Sequence, residues 1–288
     1  MECRYYQRLE DGKVECQLCP YHCHIADGKT GICRSRRNCG GVLISEVYAK
    51  PCALAIDPVE KKPLYHFHSG TTCLSIACTG CNFRCLNCQN YDISQVSPEQ
   101  VDYYKLNPEE VVTLCKKHHC PGIAYTYTEP LTYIEYIIDC ARLAHEAGLW
   151  NILVTAGYVC KKPLADLLPY LDAANVDLKS FSDDIYLRVS GGHLQPVLDT
   201  ILAMKDAGVW VEITNLIIPG VNDDMDMIRQ MCRWLSDNGF ANSPLHFSRF
   251  FPRYKMQEIP PTPLPTLKAA KQVAEEEGIK YVYLGNVV

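Results

Sequence analysis

From Thr71 onward the chain alternates short apolar runs with amphipathic stretches, and this alternation restricts the fold more than any other feature. Thr72–Cys78, Ile123–Tyr127, Trp150–Thr155, Asn175–Leu178, Val209–Ile217 and Leu245–Phe250 read as strands, with Tyr281–Leu284 as a last candidate. Helical patterns lie between them. Asn107-Pro108-Glu109-Glu110 is a helix start, with Asn as cap, Pro in the first turn and acids toward the positive end of the dipole. Further helices cover about Tyr133–Ala147, closed by Gly148, and about Pro163–Leu171, Leu194–Ala207, Met225–Asn238 and Leu264–Glu277. Strand–helix alternation builds a parallel sheet with helices outside it. About six such repeats predict an α/β fold, a partial (β/α)6 TIM-like barrel, with ligands at the C-terminal ends of its strands.

Cysteine is the second constraint. The chain has 17 in 288 residues, and twelve of them fall before residue 89. A secreted disulfide scaffold is short and favours an even count. Here the chain is long, the count is odd, and Met1 to Gly12 has no apolar leader segment. A reducing, cytoplasmic setting is therefore expected, where crowded cysteines hold metal. The formal net charge of −5 argues against a nucleic-acid partner. No apolar run reaches the roughly 18 residues of a membrane span. Residues 1–70 read as a small Cys-rich metal-binding module, and 71–288 as the barrel. Val42 to Ala49 is a strand candidate after the Gly40-Gly41 turn, and Pro51 to Pro63 reads as a connecting loop.

Just past the first expected barrel strand stands Cys81-Asn-Phe-Arg-Cys85-Leu-Asn-Cys88. Three thiolates on one loop can each bind one iron of a four-iron, four-sulfur cube, leaving the fourth iron open. Cys78 stands three residues earlier as a candidate fourth ligand; zinc or plain buried thiols are the other readings of the spacing.

The C-x3-C-x2-C spacing resembles the signature of the radical S-adenosylmethionine (SAM) enzymes. Ala53-Leu-Ala-Ile-Asp-Pro-Val-Glu-Lys-Lys-Pro-Leu-Tyr-His-Phe67 and Gly80-Cys-Asn-Phe-Arg-Cys-Leu-Asn-Cys-Gln-Asn90 resemble the radical enzyme of the AmmeMemoRadiSam system, a relative of the glycyl-radical-enzyme activases. The likeness runs from about Cys16 to Val288. It implies that Cys81, Cys85 and Cys88 hold a [4Fe-4S] cluster whose open iron binds SAM. Reductive cleavage of SAM to a 5′-deoxyadenosyl radical then removes a hydrogen atom from a substrate, a small molecule or a protein. It also implies an electron-donor protein, and Memo-type or AMMECR-type proteins as partners or pathway neighbours. An activase making a glycyl radical on a partner is the narrower reading. A non-catalytic iron–sulfur carrier or zinc scaffold is the rival from another class.

Four further residues are carried over as cofactor-binding. Glu129, at the end of Ala124-Tyr-Thr-Tyr-Thr-Glu-Pro130, resembles the glutamate that binds the methionine amino group, although the two preceding glycines are absent. Its plain alternative is a helix-start carboxylate. Asp177 and Lys179 resemble the activases' Asp-x-Lys segment, or else form a structural ion pair on one strand face. His246 matches an activase histidine near the ribose, or is structural. Val154-Thr155 replaces the activases' Asp-Thr cation site, so that cation is not transferred. Asn87 stands where an aromatic residue usually meets adenine, leaving Phe83 or Tyr91 as substitutes. Arg249 is a candidate for a substrate carboxylate or phosphate, and Ser190-Gly191-Gly192-His193 for a backbone approach to a ligand.

In the front module, Cys16, Cys19, Cys23 and Cys33 supply four thiols near His22 and His24. They suit zinc or a second Fe–S cluster, the first as a folding staple and the second as an electron relay. Arg34, Arg36 and Arg37 form a solvated turn or dock an acidic partner. Asp223-Asp224 serve a helix dipole, and Cys140 and Cys232 are buried apolar residues.

Overall fold

A computed structural model describes residues 1–287; Val288, the last residue of the expected barrel unit, lies outside the described residues. Five short strands come first: β1 (Tyr6–Arg8), β2 (Val14–Cys16) and β3 (His24–Ile25) in one antiparallel sheet, and β4 (Arg36–Cys39) with β5 (Val42–Ser45) in a hairpin. The hairpin turns at Gly40 and Gly41, both at positive φ. The candidate strand Val42 to Ala49 is thus real but ends at Ser45.

The large sheet has the order β13-β12-β11-β10-β9-β8-β7-β6. Its parallel strands are β7 (Thr72–Ala77), β8 (Gly122–Tyr125), β9 (Trp150–Thr155), β10 (Ala173–Asp177), β11 (Trp210–Ile217), β12 (Leu245–Arg249) and β13 (Val282–Gly285). Helices α1 (Tyr91–Ser94) to α8 (Leu264–Glu276) interleave with them; among these are α2 (Pro108–Lys117), α3 (Ile134–Glu146), α4 (Lys161–Leu167), α5 (Asp183–Ile185), α6 (Gln195–Asp206) and α7 (Met225–Leu235). The expected mostly parallel α/β barrel is what the chain forms. Asn107 caps α2 as anticipated: its side chain accepts from the Glu110 amide, and Glu110 reaches back to the Asn107 amide. Asp224 caps α7 by accepting from the Met227 amide. Cys140 and Cys232 are fully buried in the core.

One expectation fails. Pro51 to Pro63 is not a connecting loop. Ala53–Pro58 is β6, an antiparallel edge strand on β7, with Asp57 opposite Cys73. Residues 59–70 then run beneath the N-terminal ends of the strands as a plug. Asn175 donates to Pro63 O at 2.8 Å, and His68 stacks on Trp150 with centroids 4.1 Å apart. The prolines misled because an edge strand tolerates them where a central strand does not. β6 lies within the residues expected for the front module but belongs to the barrel sheet.

Candidate active site

The loop after β7 is shaped by Gly80, at φ +109. A Cβ there would stand 2.5 Å from Cys33 O, so only glycine lets the front module pack onto this loop. The loop is then tied down at several points. Arg84 and Leu86 amides donate to Ser190 O and Val189 O at 2.8 and 3.0 Å, and Gln95 holds Phe83 O at 3.0 Å. Cys88 Sγ lies 3.1 Å from Ser94 Oγ. These ties present Cys81, Cys85 and Cys88 to one cavity of about 530 Å³ at the C-terminal ends of the strands. Cys78 is fully buried and does not line it.

Burial pushes the Cys81 and Cys85 thiols upward; for Cys85, Lys179 opposes the shift. Buried thiols of this kind need a cationic centre to become thiolates. Among the described residues no three His, Cys, Asp or Glu side chains are arranged to hold a single ion.

Glu129 also lines the cavity and is almost fully buried. Its Oε1 accepts from Thr155 Oγ1 at 2.6 Å and from the Leu131 amide at 3.2 Å, and its Oε2 from the Ala156 amide at 2.8 Å. Burial raises its pKa against these donors. It is both a helix-start carboxylate and a cavity group, so the two readings of it coexist. Lys179 lies 2.8 Å from Asp177 Oδ2, and both line the cavity. Burial works against the Lys179 charge, but Asp177 and the Cys85 sulfur outweigh it and raise its pKa.

His246 is placed elsewhere. It lies below the cavity and is not part of its lining, with Nε2 2.7 Å from buried Glu212. Glu212 also accepts from the amides of Tyr65 and His66 and from Trp210 Nε1. The pair therefore clamps the plug onto the barrel. Two positions up the same strand face, Ser248 is the β12 residue that lines the cavity.

Other expectations change too. Arg249 donates to Thr262 O at 2.8 Å and covers Phe251. Tyr91 stacks on Tyr254 outside the cavity lining. Phe83 touches the cavity but is packed under Gly192, where a Cβ would come within 2.4 Å of its ring. The Gly191-Gly192 pair thus serves packing. Arg36 is not on a solvated turn: fully buried, it forms a bidentate pair with buried Glu135 of α3.

Sequence reasoning missed Lys61, Thr214 and Asn286, which also line the cavity. Thr214 Oγ1 is buried without a partner. Leu216, Ile218, Val221, Ile185 and Val189 form an apolar wall beside Lys179 and Asn222.

In the front module, burial pushes Cys16 up to about 11, with Cys33 and Cys23 near enough to add to the shift. Cys19 is raised by burial and by Cys33 and Cys16. Cys23 and Cys33 sulfurs each stand 3.8 Å from the Gly31 Cβ position. His22 and His24 turn to Glu15, at 3.4 and 3.7 Å.

The family model for the radical SAM superfamily matches residues 75–235, which span β7 to α7. The chain belongs to the radical SAM superfamily. It is 48% identical over 286 residues to an uncharacterized protein of Methanocaldococcus jannaschii, covering 99% of this chain and 85% of that one. It is 26% identical over 220 residues to the pyruvate formate-lyase 1-activating enzyme of Escherichia coli, covering 71% and 89%. In fold it is similar to a radical SAM methyltransferase from Sphaerobacter thermophilus, with a TM-score of 0.60 and 13% identity over 100% of this chain and 77% of that one. Radical SAM proteins are enzymes that use a [4Fe-4S] cluster and SAM. The scaffold reading is thereby set aside. No helix among the described residues is long and apolar enough to cross a membrane.

Proposed function

We propose that Cys81, Cys85 and Cys88 hold the [4Fe-4S] cluster and that the cavity below them binds SAM. The observation that carries this is the convergence of three thiols, a buried carboxylate fixed by three donors, an Asp–Lys pair and an unpartnered buried hydroxyl on one cavity. Soft sulfur donors suit iron–sulfur clusters, and a lining that holds both carboxylates and an ammonium suits a cofactor carrying an ammonium, a carboxylate and a sulfonium. When bound, the cluster and SAM supply a 5′-deoxyadenosyl radical able to take a hydrogen atom from a substrate.

The chain's own groups orient that cofactor. Glu129, fixed by three donors, accepts from an ammonium without having to reorganise. Lys179 offers its charge to a carboxylate while Asp177 keeps it protonated. The apolar wall of Leu216, Ile218 and Val221 offers adenine a flat surface, the role that Asn87 leaves open. His246 and Glu212 act at a distance by holding the plug.

The front thiols we assign to a metal centre. Cys19 lies beside Asn82, and Cys33 against Gly80, so such a centre adjoins the cluster loop. Adjacency favours a second Fe–S cluster, with the relay role, over a zinc staple. The resemblance of residues 53–67 and 80–90 supports assignment to the AmmeMemoRadiSam system, with Memo-type or AMMECR-type proteins as partners and a separate electron donor. A second reading, activation of a glycyl-radical enzyme, is favoured by the 26% identity to an activating enzyme.

The test is low-temperature electron paramagnetic resonance of anaerobically reconstituted, reduced protein. A four-iron signal that changes on adding SAM, and vanishes in Cys85→Ala, is expected. A signal indifferent to SAM overturns the proposal. Iron and zinc analysis of a Cys81→Ala/Cys85→Ala/Cys88→Ala protein reports the front metal alone, and a glycine-centred signal on a partner protein after turnover identifies the activase reading.

A further inference from the structure

Among the described residues, two non-glycine residues lining the cavity hold a positive φ: Asn286, a residue type that tolerates it, and Tyr127 at φ +67. An aromatic residue in the left-handed region is strained, and it persists only where its surroundings over-determine it. Here they do. The Tyr127 hydroxyl donates to Asp57 Oδ2, on the edge strand β6. Lys62, in the plug that floors the barrel, places Nζ 2.7 Å from the same oxygen and 4.6 Å from the centre of the Tyr127 ring. Asp57 and Lys62 are both buried. Burial removes competing water from this network, so its hydrogen bonds are stronger and costlier to break.

The left-handed turn redirects the chain just past β8. Asn90, two residues after Cys88, donates its Nδ2 to Tyr127 O at 2.6 Å. The next residue, Thr128, donates its hydroxyl to Cys78 O at 2.7 Å, and the Glu129 amide reaches Gly80 O at 3.4 Å. Three consecutive residues, Tyr127 to Glu129, thus stitch the end of β8 to both ends of the loop that carries Cys81, Cys85 and Cys88. Thr155 and the Leu131 and Ala156 amides orient the Glu129 carboxylate, while these stitches place its backbone relative to the thiols. The Tyr127 hydroxyl is already engaged by Asp57, so the residue reaches the site through its backbone.

We propose that Tyr127 is a positioning residue. The Asp57–Lys62 pair pins its side chain, the pinned side chain holds the left-handed turn, and the turn sets the separation of the cluster loop and Glu129 at which SAM binds. This deepens the radical-enzyme reading and rests on it. A tyrosine that met the cofactor with its ring would behave differently, and glycine separates the two cases. Glycine lacks the ring and the hydroxyl but adopts φ +67 without strain. Phenylalanine keeps the ring and the strain but loses the anchor.

The experiment measures SAM affinity of the reconstituted holoenzyme by calorimetry. Tyr127→Phe should weaken it by roughly tenfold or more, the scale of one hydrogen bond to a charged group. Tyr127→Gly should recover most of that loss. Asp57→Asn should weaken binding in the wild-type background but not in Tyr127→Gly, where no anchored side chain is left for it to hold. In the SAM-free holoenzyme, amide exchange at Thr128 and Glu129 should quicken by a common factor in Tyr127→Phe and Asp57→Asn. Wild-type affinity in Tyr127→Phe overturns the proposal. So does a Tyr127→Gly that binds more weakly than Tyr127→Phe, which would mean that the ring itself meets the cofactor. If wild type shows neither SAM binding nor a SAM-induced change in its paramagnetic signal, the radical reading fails. The exchange rates then decide the positioning alone, and unchanged rates in Tyr127→Phe overturn it.

Discussion

Thr155 donates its hydroxyl to Glu129 Oε1 at 2.6 Å, joining the C-terminal ends of β9 and β8. Where the activases carry an Asp-Thr pair for a cation, this chain uses the threonine to aim a carboxylate. Thr155→Val keeps the shape and removes the donor. A hydrogen bond to a charged group contributes about 1.5–3 kcal/mol. SAM affinity, read by calorimetry on the holoenzyme, should therefore fall by roughly 10- to 100-fold, because 1.4 kcal/mol is a factor of ten. An unchanged affinity would mean that Glu129 does not meet the cofactor.

Glu129 also sets a pH signature. Burial raises its pKa above the ordinary value of 4.5, so the folded protein holds this proton more tightly than the unfolded chain. Its stability contribution is fully present below the unfolded pKa and is lost as pH rises through the folded one. Denaturant midpoints of the iron-free protein should show this decline on the neutral side of the carboxylate range. Glu129→Gln should flatten it; a slope that persists would assign the decline to other groups.

The alternation from Thr71 revealed the barrel because each strand is apolar and bounded by turn residues, which periodicity detects directly. The thiol triplet was equally legible, since three ligands on one short loop announce themselves by spacing. Lys61, Thr214 and Glu212 were not. They meet only when strands far apart in sequence curl around a common interior, and an isolated Thr or Lys has no local pattern to betray it. His246 pairs with Glu212, the structural one of its two readings, two residues below Ser248 on its strand. Both positions face inward, and only the three-dimensional depth of the plug decides that Ser248 meets the cavity. Pro51 to Pro63 was misread because proline marks loops and edge strands alike.

The Glu212–His246 clamp predicts an acid-sensitive floor. Burial alone would raise the Glu212 pKa, but His246 and the Tyr65 and His66 amides lower it on balance. That stability is present above the unfolded value of 4.5 and is lost as pH falls through the folded pKa. Glu212→Gln turns a donor toward donors, and leaving a buried polar group unpaired costs about 1–3 kcal/mol. Chemical denaturation should show that loss at neutral pH and a flatter acid limb. Amide exchange at Tyr65 and His66 should quicken by a matching factor, and slow exchange there in the variant would contradict the clamp.

Arg36 and Glu135, both fully buried, bolt the front module to α3. Arg36 Nε also donates to Thr132 O at 3.1 Å, and the Arg4 amide donates to Glu135 at 3.0 Å, so one carboxylate gathers two points of the module. Removing one member of a buried pair strands the other charge, at a cost of about 3–5 kcal/mol. Arg36→Met should therefore loosen residues 1–45 before it unfolds the barrel. Limited proteolysis should cut first in the front strands, while far-ultraviolet dichroism of the barrel stays near wild type. Because Cys33 rests on Gly80, the same variant should also blur the paramagnetic signal of the Cys81, Cys85 and Cys88 cluster. A sharp, unaltered signal in a proteolysed front module would show that the cluster loop keeps its shape without that contact.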